Sequence, residues 1–379
     1  MTGTTDRGIA PLLIDEAACI NIRGRVKICA ACQDACAGKA LSLSLQGVRL
    51  DATRCTACGA CVPQCPAGAL QLRGFSPRNF LQSLDRQPTA QLHCSASCAN
   101  GSSVAVPCHS VLDARLLAAA YAAGTVSFQL HGLDQCGHCP KGSAAKQVSF
   151  IRETLRAWFA QQAPEVISAP GNRDEERRQR WQEDQLIQSR RGFLRGAGLR
   201  ATAGAAAWLL PAEKARDLES LESDNQPPSR AALEQKHPAS YQALLLERVS
   251  DLPWRRLPWQ QRSITAACNA CLVCAQRCPT GALSAWCTPT ARGIDVDLGL
   301  CTSCRLCERL CPEQAIHEGE SASVSALVNG RMALVTRPLA TCAVCQRTYV
   351  PETETSELCH SCQKESTLKE AWLSLLGQP

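Results

Sequence analysis

Cys301-Thr302-Ser303-Cys304-Arg305-Leu306-Cys307-Glu308-Arg309-Leu310-Cys311-Pro312 sets four thiols at gaps of two, two and three residues and closes on proline. The same spacing recurs at Cys268, Cys271, Cys274 and Cys278 before Pro279, and at Cys55, Cys58, Cys61 and Cys65 before Pro66. Cys19, Cys29, Cys32 and Cys36 form a looser copy, with nine residues between the first two cysteines and Ala37 where proline is expected. The tails agree too. Pro66-Ala67-Gly68-Ala69-Leu70 closely matches Pro279-Thr280-Gly281-Ala282-Leu283, while Pro312-Glu313-Gln314-Ala315-Ile316 and Ala37-Gly38-Lys39-Ala40-Leu41 are cousins. The chain therefore contains a repeated folding unit.

Three cysteines at two-residue gaps let a tight loop wrap one four-iron cubane, while the fourth lies beyond a turn and ligates the other cluster of a pair. Disulfide scaffolds lack identical copies with a trailing proline, and zinc sites seldom run three cysteines at two-residue gaps. Residues 10–75 and 262–320 resemble the bacterial dicluster [4Fe-4S] ferredoxin family, in a polyferredoxin-like double copy. The crossing predicts one cluster on Cys268, Cys271, Cys274 and Cys311 and a second on Cys301, Cys304, Cys307 and Cys278. In the N-terminal pair it predicts Cys19, Cys29, Cys32 and Cys65 for one, and Cys55, Cys58, Cys61 and Cys36 for the other. The stretched loop makes Cys19 the least constrained of these ligands.

The chain has 379 residues, 26 cysteines, a formal charge of +6 and 4% aromatic residues. That length suggests two to four domains. Reduced thiols during assembly imply the cytoplasm, and the charged opening through Asp6, Asp15 and Glu16 has no apolar core of a signal peptide. The expected fold class is α+β multidomain. Residues 1–80 and 263–325 form dicluster ferredoxin modules, 85–165 a small α/β Cys-rich domain, 166–262 a helical, charged linker, and 326–379 a zinc-ribbon-like domain.

The α/β unit is read from strands at 104–107 and 126–130 and helices at 112–123 and 148–160. Its five cysteines, Cys94, Cys98, Cys108, Cys136 and Cys139, follow strand ends, where ligands gather in alternating α/β folds. With an early and a late cysteine pair, this unit resembles the delta subunit of methyl-viologen-reducing hydrogenases and, more distantly, thioredoxin-like two-iron ferredoxins. A further iron-sulfur cluster, a zinc site and a thioredoxin-like redox pair at Cys136 and Cys139 all fit the spacing. His93, His109 and His138 flank the thiols and are read as neighbours rather than ligands.

Ser189-Arg190-Arg191-Gly192-Phe193-Leu194-Arg195 fits the twin-arginine export consensus inside the linker. The apolar run after it, 197–210, is interrupted by Arg200 and too short to span a bilayer. Two readings stand. Arg190 and Arg191 form a targeting or membrane-surface motif, which would place the protein at the cytoplasmic face of the inner membrane, or they belong to an arginine-rich linker helix.

Cys342-Ala343-Val344-Cys345 and Cys359-His360-Ser361-Cys362 supply four thiolates for a closed tetrahedral site, read as structural zinc. A rubredoxin-like iron uses the same ligands, but Gln346 and Gln363 stand where that family has glycine. Cys287 is left over as a free thiol.

The chain has no dinucleotide loop, no Walker loop and no nucleophile–base constellation. The expectation is an electron carrier without a substrate site, holding four [4Fe-4S] clusters and one zinc, with the middle domain open to a further cluster. It would serve a larger redox enzyme rather than nucleic acid, and its layout resembles the ferredoxins that accompany molybdopterin oxidoreductases, formate dehydrogenases especially. The alternative is an assembly or maturation factor whose clusters are structural or regulatory.

Overall fold

Each cysteine loop demands a particular backbone, and the chain folds around that demand. A computed structural model describes residues 10–45, 47–95, 97, 103–170, 241–351 and 356–375. In the regular motifs the second and fourth residues after the first cysteine are left-handed: Ala57 (φ 53°) and Gly59 (φ 77°), Ala270 (φ 50°) and Leu272 (φ 67°), Ser303 (φ 52°) and Arg305 (φ 58°). Left-handed residues alternating with ordinary ones turn successive N–H groups inward, which makes an anion-binding concavity. The third residue after the last cysteine is left-handed in every copy: Lys39 (φ 48°), Gly68 (φ 67°), Gly281 (φ 70°) and Gln314 (φ 49°). Each non-glycine residue there costs roughly 1–2 kcal/mol, so its recurrence marks a requirement of the motif.

The chain divides into units at 1–256 and 257–379. The first begins with β1 (Leu12–Ile14), α1 (Ile20–Gly24), α2 (Ala31–Asp34), β2 (Leu41–Leu43), β3 (Val48–Leu50), α3 (Cys61–Gln64) and β4 (Leu70–Leu72). β1 and β4 are antiparallel, with Leu12 opposite Leu72, and β2 and β3 form a hairpin with Leu41 opposite Leu50. Leu12, Leu41 and Leu70 are buried together, and Cys32, Cys36, Cys61 and Cys65 pack on them. The apolar core thus lies between the cysteine loops.

After α4 (Pro77–Ser83) come β5 (Thr89–Cys94), β6 (Val104–Val106), α5 (Ala114–Ala122), β7 (Ser127–His131), α6 (Ala145–Phe159) and β8 (Glu165–Ala169). The sheet is wholly parallel in the order β6-β5-β7-β8. Leu92, Phe128, Leu130, Leu116 and Ile151 are fully buried, as a parallel sheet covered by helices requires. The strands and helices expected at 104–107, 126–130, 112–123 and 148–160 are present within a few residues. β5 and β8 are additions, because Gln91, His93 and Ser168 interrupt their apolar pattern.

Residues expected to be linker take part in this domain. Beyond β8, α7 (Tyr241–Leu246) packs beside α5, and Tyr241 Oη donates to the Val111 carbonyl at 2.8 Å. The Trp254 ring lies 4.8 Å from that of Phe159. Arg190 and Arg191 lie outside the described residues. The first module docks on the middle domain through Arg115 Nη2, which donates to the Pro63 carbonyl at 2.7 Å, and Gln64 Nε2, which donates to Gln147 Oε1 at 3.1 Å.

The second unit repeats the module with β9 (Gln260–Ile264), α8 (Val273–Gln276), β10 (Leu283–Cys287), β11 (Ala291–Asp297), α9 (Leu306–Leu310) and β12 (Ile316–Ser321). β9 pairs antiparallel with β12, as β1 does with β4, and β10–β11 replaces the β2–β3 hairpin. After α10 (Val324–Val328), β13 (Arg331–Pro338) pairs with β11. Residues assigned to the ribbon domain are thus hydrogen-bonded into the module's sheet. β14 (Ala340–Thr341), β15 (Thr348–Tyr349) and α11 (His360–Leu375) complete the unit.

Gly59 combines positive φ with close approach, since a Cβ there would meet Val111 Cγ2 at 2.8 Å and Leu72 Cδ2 at 2.9 Å. Gly59→Ala is expected to destabilise the first unit by about 1–2 kcal/mol from backbone strain alone, with the crowding adding to it. Thermal unfolding of the metal-loaded protein measures the loss, and an unchanged midpoint would contradict this packing.

Candidate metal centres

In each module the thiols of two motifs interleave. Cys274 is surrounded by Cys271, Cys268 and Cys311, and burial followed by those three neighbours pushes its thiol up to about 12. Cys268, Cys271, Cys274 and Cys311 line one cavity, walled by Leu272, Ile294 and Ile316. Cys307 is pushed up to about 12 by burial and by Cys301, Cys304 and Cys278, against the pull of Arg262. Burial likewise raises Cys304 to about 11, with Cys278 and Cys301 adding to it and the Leu306 N–H opposing. The fourth cysteine of each motif therefore sits among the first three of the other.

The N-terminal pair crosses in the same way. Cys32 lies among Cys65, Cys29 and Cys19, and burial plus those neighbours raises it to about 12. Cys61 is raised to about 12 by burial and by Cys58, Cys32 and Cys36, and Cys55 opens the loop that Cys58 and Cys61 share.

Backbone N–H groups are aimed at the sulfurs. Ala40 N donates to Cys36 Sγ, Ala69 N to Cys65 Sγ and Ala315 N to Cys311 Sγ, each at 3.2 Å. The donor is the fourth residue after the cysteine, and the left-handed residue before it turns its N–H back. That role accounts for the repeated tail. At Cys278 the Thr280 hydroxyl lies 3.7 Å from the sulfur.

The irregular motif reaches the same arrangement by another route. Ala30 has an ordinary φ of −125°, and Cys19 precedes α1 as its N-cap. Asn21, 2% exposed, ties the long loop back. Its Oδ1 accepts from Ile28 N at 3.0 Å and Cys29 N at 2.9 Å, and its Nδ2 donates to the Cys29 carbonyl at 2.7 Å. The sequence signal for this pin was a polar side chain between Ile20 and Ile22.

The carboxyl ends of β5, β6 and β7 bring the middle-domain thiols to one edge. Cys94 ends β5, Cys108 follows β6 by two residues, and Cys136 and Cys139 lie in the turn after β7. Cys108 and Cys136 pack together with Ala144, and Cys58 of the first module packs against them. Burial raises both thiols, with Cys94 adding to each. Cys98 falls outside the described residues. His109 is fully buried and directs Nε2 to the His131 carbonyl at 2.9 Å. Burial holds it down at about 4, so it is neutral near pH 7.

Among the described residues, Cys342, Cys345, Cys359 and Cys362 are the group whose sulfurs all lie within 4.8 Å of one another. Cys345 Sγ and Cys359 Sγ are 3.7 Å apart. Metal–sulfur bonds of about 2.3 Å place tetrahedral thiolates about 3.8 Å apart, so this quartet fits a single ion. Backbone N–H groups of Cys345 and Cys359 lower the Cys342 thiol. The two halves differ, for Gln346 takes the left-handed conformation (φ 57°) that glycine would supply, whereas Cys362 and Gln363 lie in α11. Cys287 is exposed.

Asn21→Ala leaves the Ile28 and Cys29 N–H groups without their acceptor, at about 1–3 kcal/mol each if water cannot replace it. The expected result is selective loss of about four of the irons from anaerobically purified protein; full iron content would show that the pin is dispensable. Cys311→Ser is expected to damage the centre wrapped by Cys268, Cys271 and Cys274 and to spare that of Cys301, Cys304 and Cys307. Cluster-resolved EPR showing the reverse would refute the crossing.

Comparison with known families supports two of the four motifs. The 4Fe-4S binding domain family matches residues 48–71 and 294–317, which carry Cys55 to Cys65 and Cys301 to Cys311. None of the curated proteins compared with the chain matches it. These two stretches are ferredoxin-like 4Fe-4S binding domains.

Proposed function

We propose that the chain is a polyferredoxin-type electron relay with four [4Fe-4S] clusters. The observation that carries this reading is the interleaving of thiols from paired motifs in both modules. A bound cubane supplies one-electron redox chemistry whose potential the surroundings tune. The chain's own part is to hold the sulfurs, aim N–H groups at them and exclude water from their inner face. Cys342, Cys345, Cys359 and Cys362 hold zinc in this reading, as a structural tie.

Cys94, Cys108, Cys136 and Cys139 form a further centre, of iron-sulfur type. The packing of Cys58 against Cys108 and Cys136 favours a redox role, since an electron reaching the first module would have a short onward step. The protein takes or gives electrons to a larger redox enzyme in the cytoplasm and has no substrate site of its own. A molybdopterin oxidoreductase such as a formate dehydrogenase is the partner this layout suggests. Among the described residues no helix is long and apolar enough to cross a membrane, and contact with a membrane surface would fall to the segment around Arg190 and Arg191.

Anaerobic purification of the full chain should yield about sixteen irons from the cubanes, or about eighteen with a two-iron middle centre, and one zinc. Dithionite-reduced protein should pass electrons to the catalytic subunit that co-purifies with it. Eight or fewer irons after reconstitution, or capture of a cofactor-free client with which no electrons are exchanged, would overturn the relay and favour an assembly factor.

A further inference from the structure

Arg262 lies on β9 with its side chain 1% exposed. Burying a guanidinium is costly unless every face finds a partner, and its partners come from one cysteine loop. Nη1 reaches Glu308 Oε1 at 2.8 Å, and Nε is directed at Cys301 Sγ at 3.5 Å. Glu308 directly follows Cys307. Burial opposes the charge, but Cys301, Cys307 and Glu308 outweigh it and Arg262 stays cationic.

The duplicated fold supplies an internal comparison. Asp15 N donates to the Ala69 carbonyl as Thr265 N donates to that of Ala315, both at 2.8 Å. This equivalence matches Ile14 with Ile264 and therefore Leu12 with Arg262. Leu12 is a buried core residue opposite Leu72, whereas Arg262 stands opposite Glu318. A leucine serves the fold at this position, so the folding unit does not require the arginine. What differs in the second module is a positive charge placed against a ligand sulfur.

We propose that Arg262 tunes the reduction potential of the centre held by Cys301, Cys304, Cys307 and Cys278, raising it above the value those ligands alone would set. The proposal rests on the cubane reading of that site. One-electron reduction, by dithionite in the test, adds one negative charge to the centre with no bond made or broken. The guanidinium at Cys301 favours the more negative state, and Glu308 moderates it. Arg262 is thus a tuning residue.

The test is a dithionite titration of the full-length, anaerobically loaded protein, followed by EPR. Cys304→Ser first identifies the signal of this centre. If that variant removes neither iron nor a signal, the cubane reading fails and not the tuning. With the signal identified, Arg262→Gln should weaken reduction of that centre roughly tenfold, a fall of about 59 mV for one electron, and leave the other centres in place. Arg262→Lys, which keeps the charge, should shift it less. Glu308→Gln, which removes the counter-charge, should move it upward. Should Arg262→Gln fail to load, Glu308→Gln decides. Unchanged midpoints in the loaded variants, or a downward shift in Glu308→Gln, would overturn the proposal.

Discussion

The structure depends on gathering several sulfur anions into one small, half-buried space. Burial and neighbouring thiols push Cys32, Cys61, Cys274 and Cys307 up to about 12. Without metal these thiols hold their protons, so loading releases protons and supplies folding energy together. The backbone answers the same constraint. Left-handed residues at repeated places turn N–H groups toward the sulfurs, and Ala57, Lys39 and Gln314 adopt that conformation despite its cost. Alanine or lysine in such a position makes sense only where the sulfur is more demanding than the side chain.

The first module and the middle domain are built into each other. Gly59 leaves room for Val111, Arg115 caps the Pro63 carbonyl, and Cys58 rests on the Cys108–Cys136 pair. The parallel sheet contributes three strand ends at one edge, and the ferredoxin loop covers part of that edge. The packing that stabilises the domain also brings two groups of thiols together.

Duplication separates what the fold needs from what a particular centre receives. The tail N–H, the crossing of fourth cysteines and the antiparallel pair closing each module are shared. The loop after Cys19, pinned by Asn21, and the exchange of Leu12 for Arg262 are individual. Differences at equivalent positions in one chain are therefore the places where electrostatics can vary without loss of the fold.

The ferredoxin motifs at Cys55 to Cys65 and Cys301 to Cys311 and the C-terminal thiol quartet were legible in the sequence, because short-range spacing dictates which thiols one loop can present. The middle strands and helices at 104–107, 112–123, 126–130 and 148–160 were legible through their apolar runs. β5 and β8 were not, since polar residues break their pattern and only pairing within the sheet makes them strands. Nor was the partnership of Tyr241 with Val111, or of β13 with β11, which join residues the composition assigned to linker and ribbon. Spacing along the chain determined which thiols each loop presents; burial and long-range pairing decided what surrounds them. Asn21 and Arg262 belong to the second kind, because a polar side chain in a strand or helix acquires its role only from the distant groups that folding brings within hydrogen-bond reach.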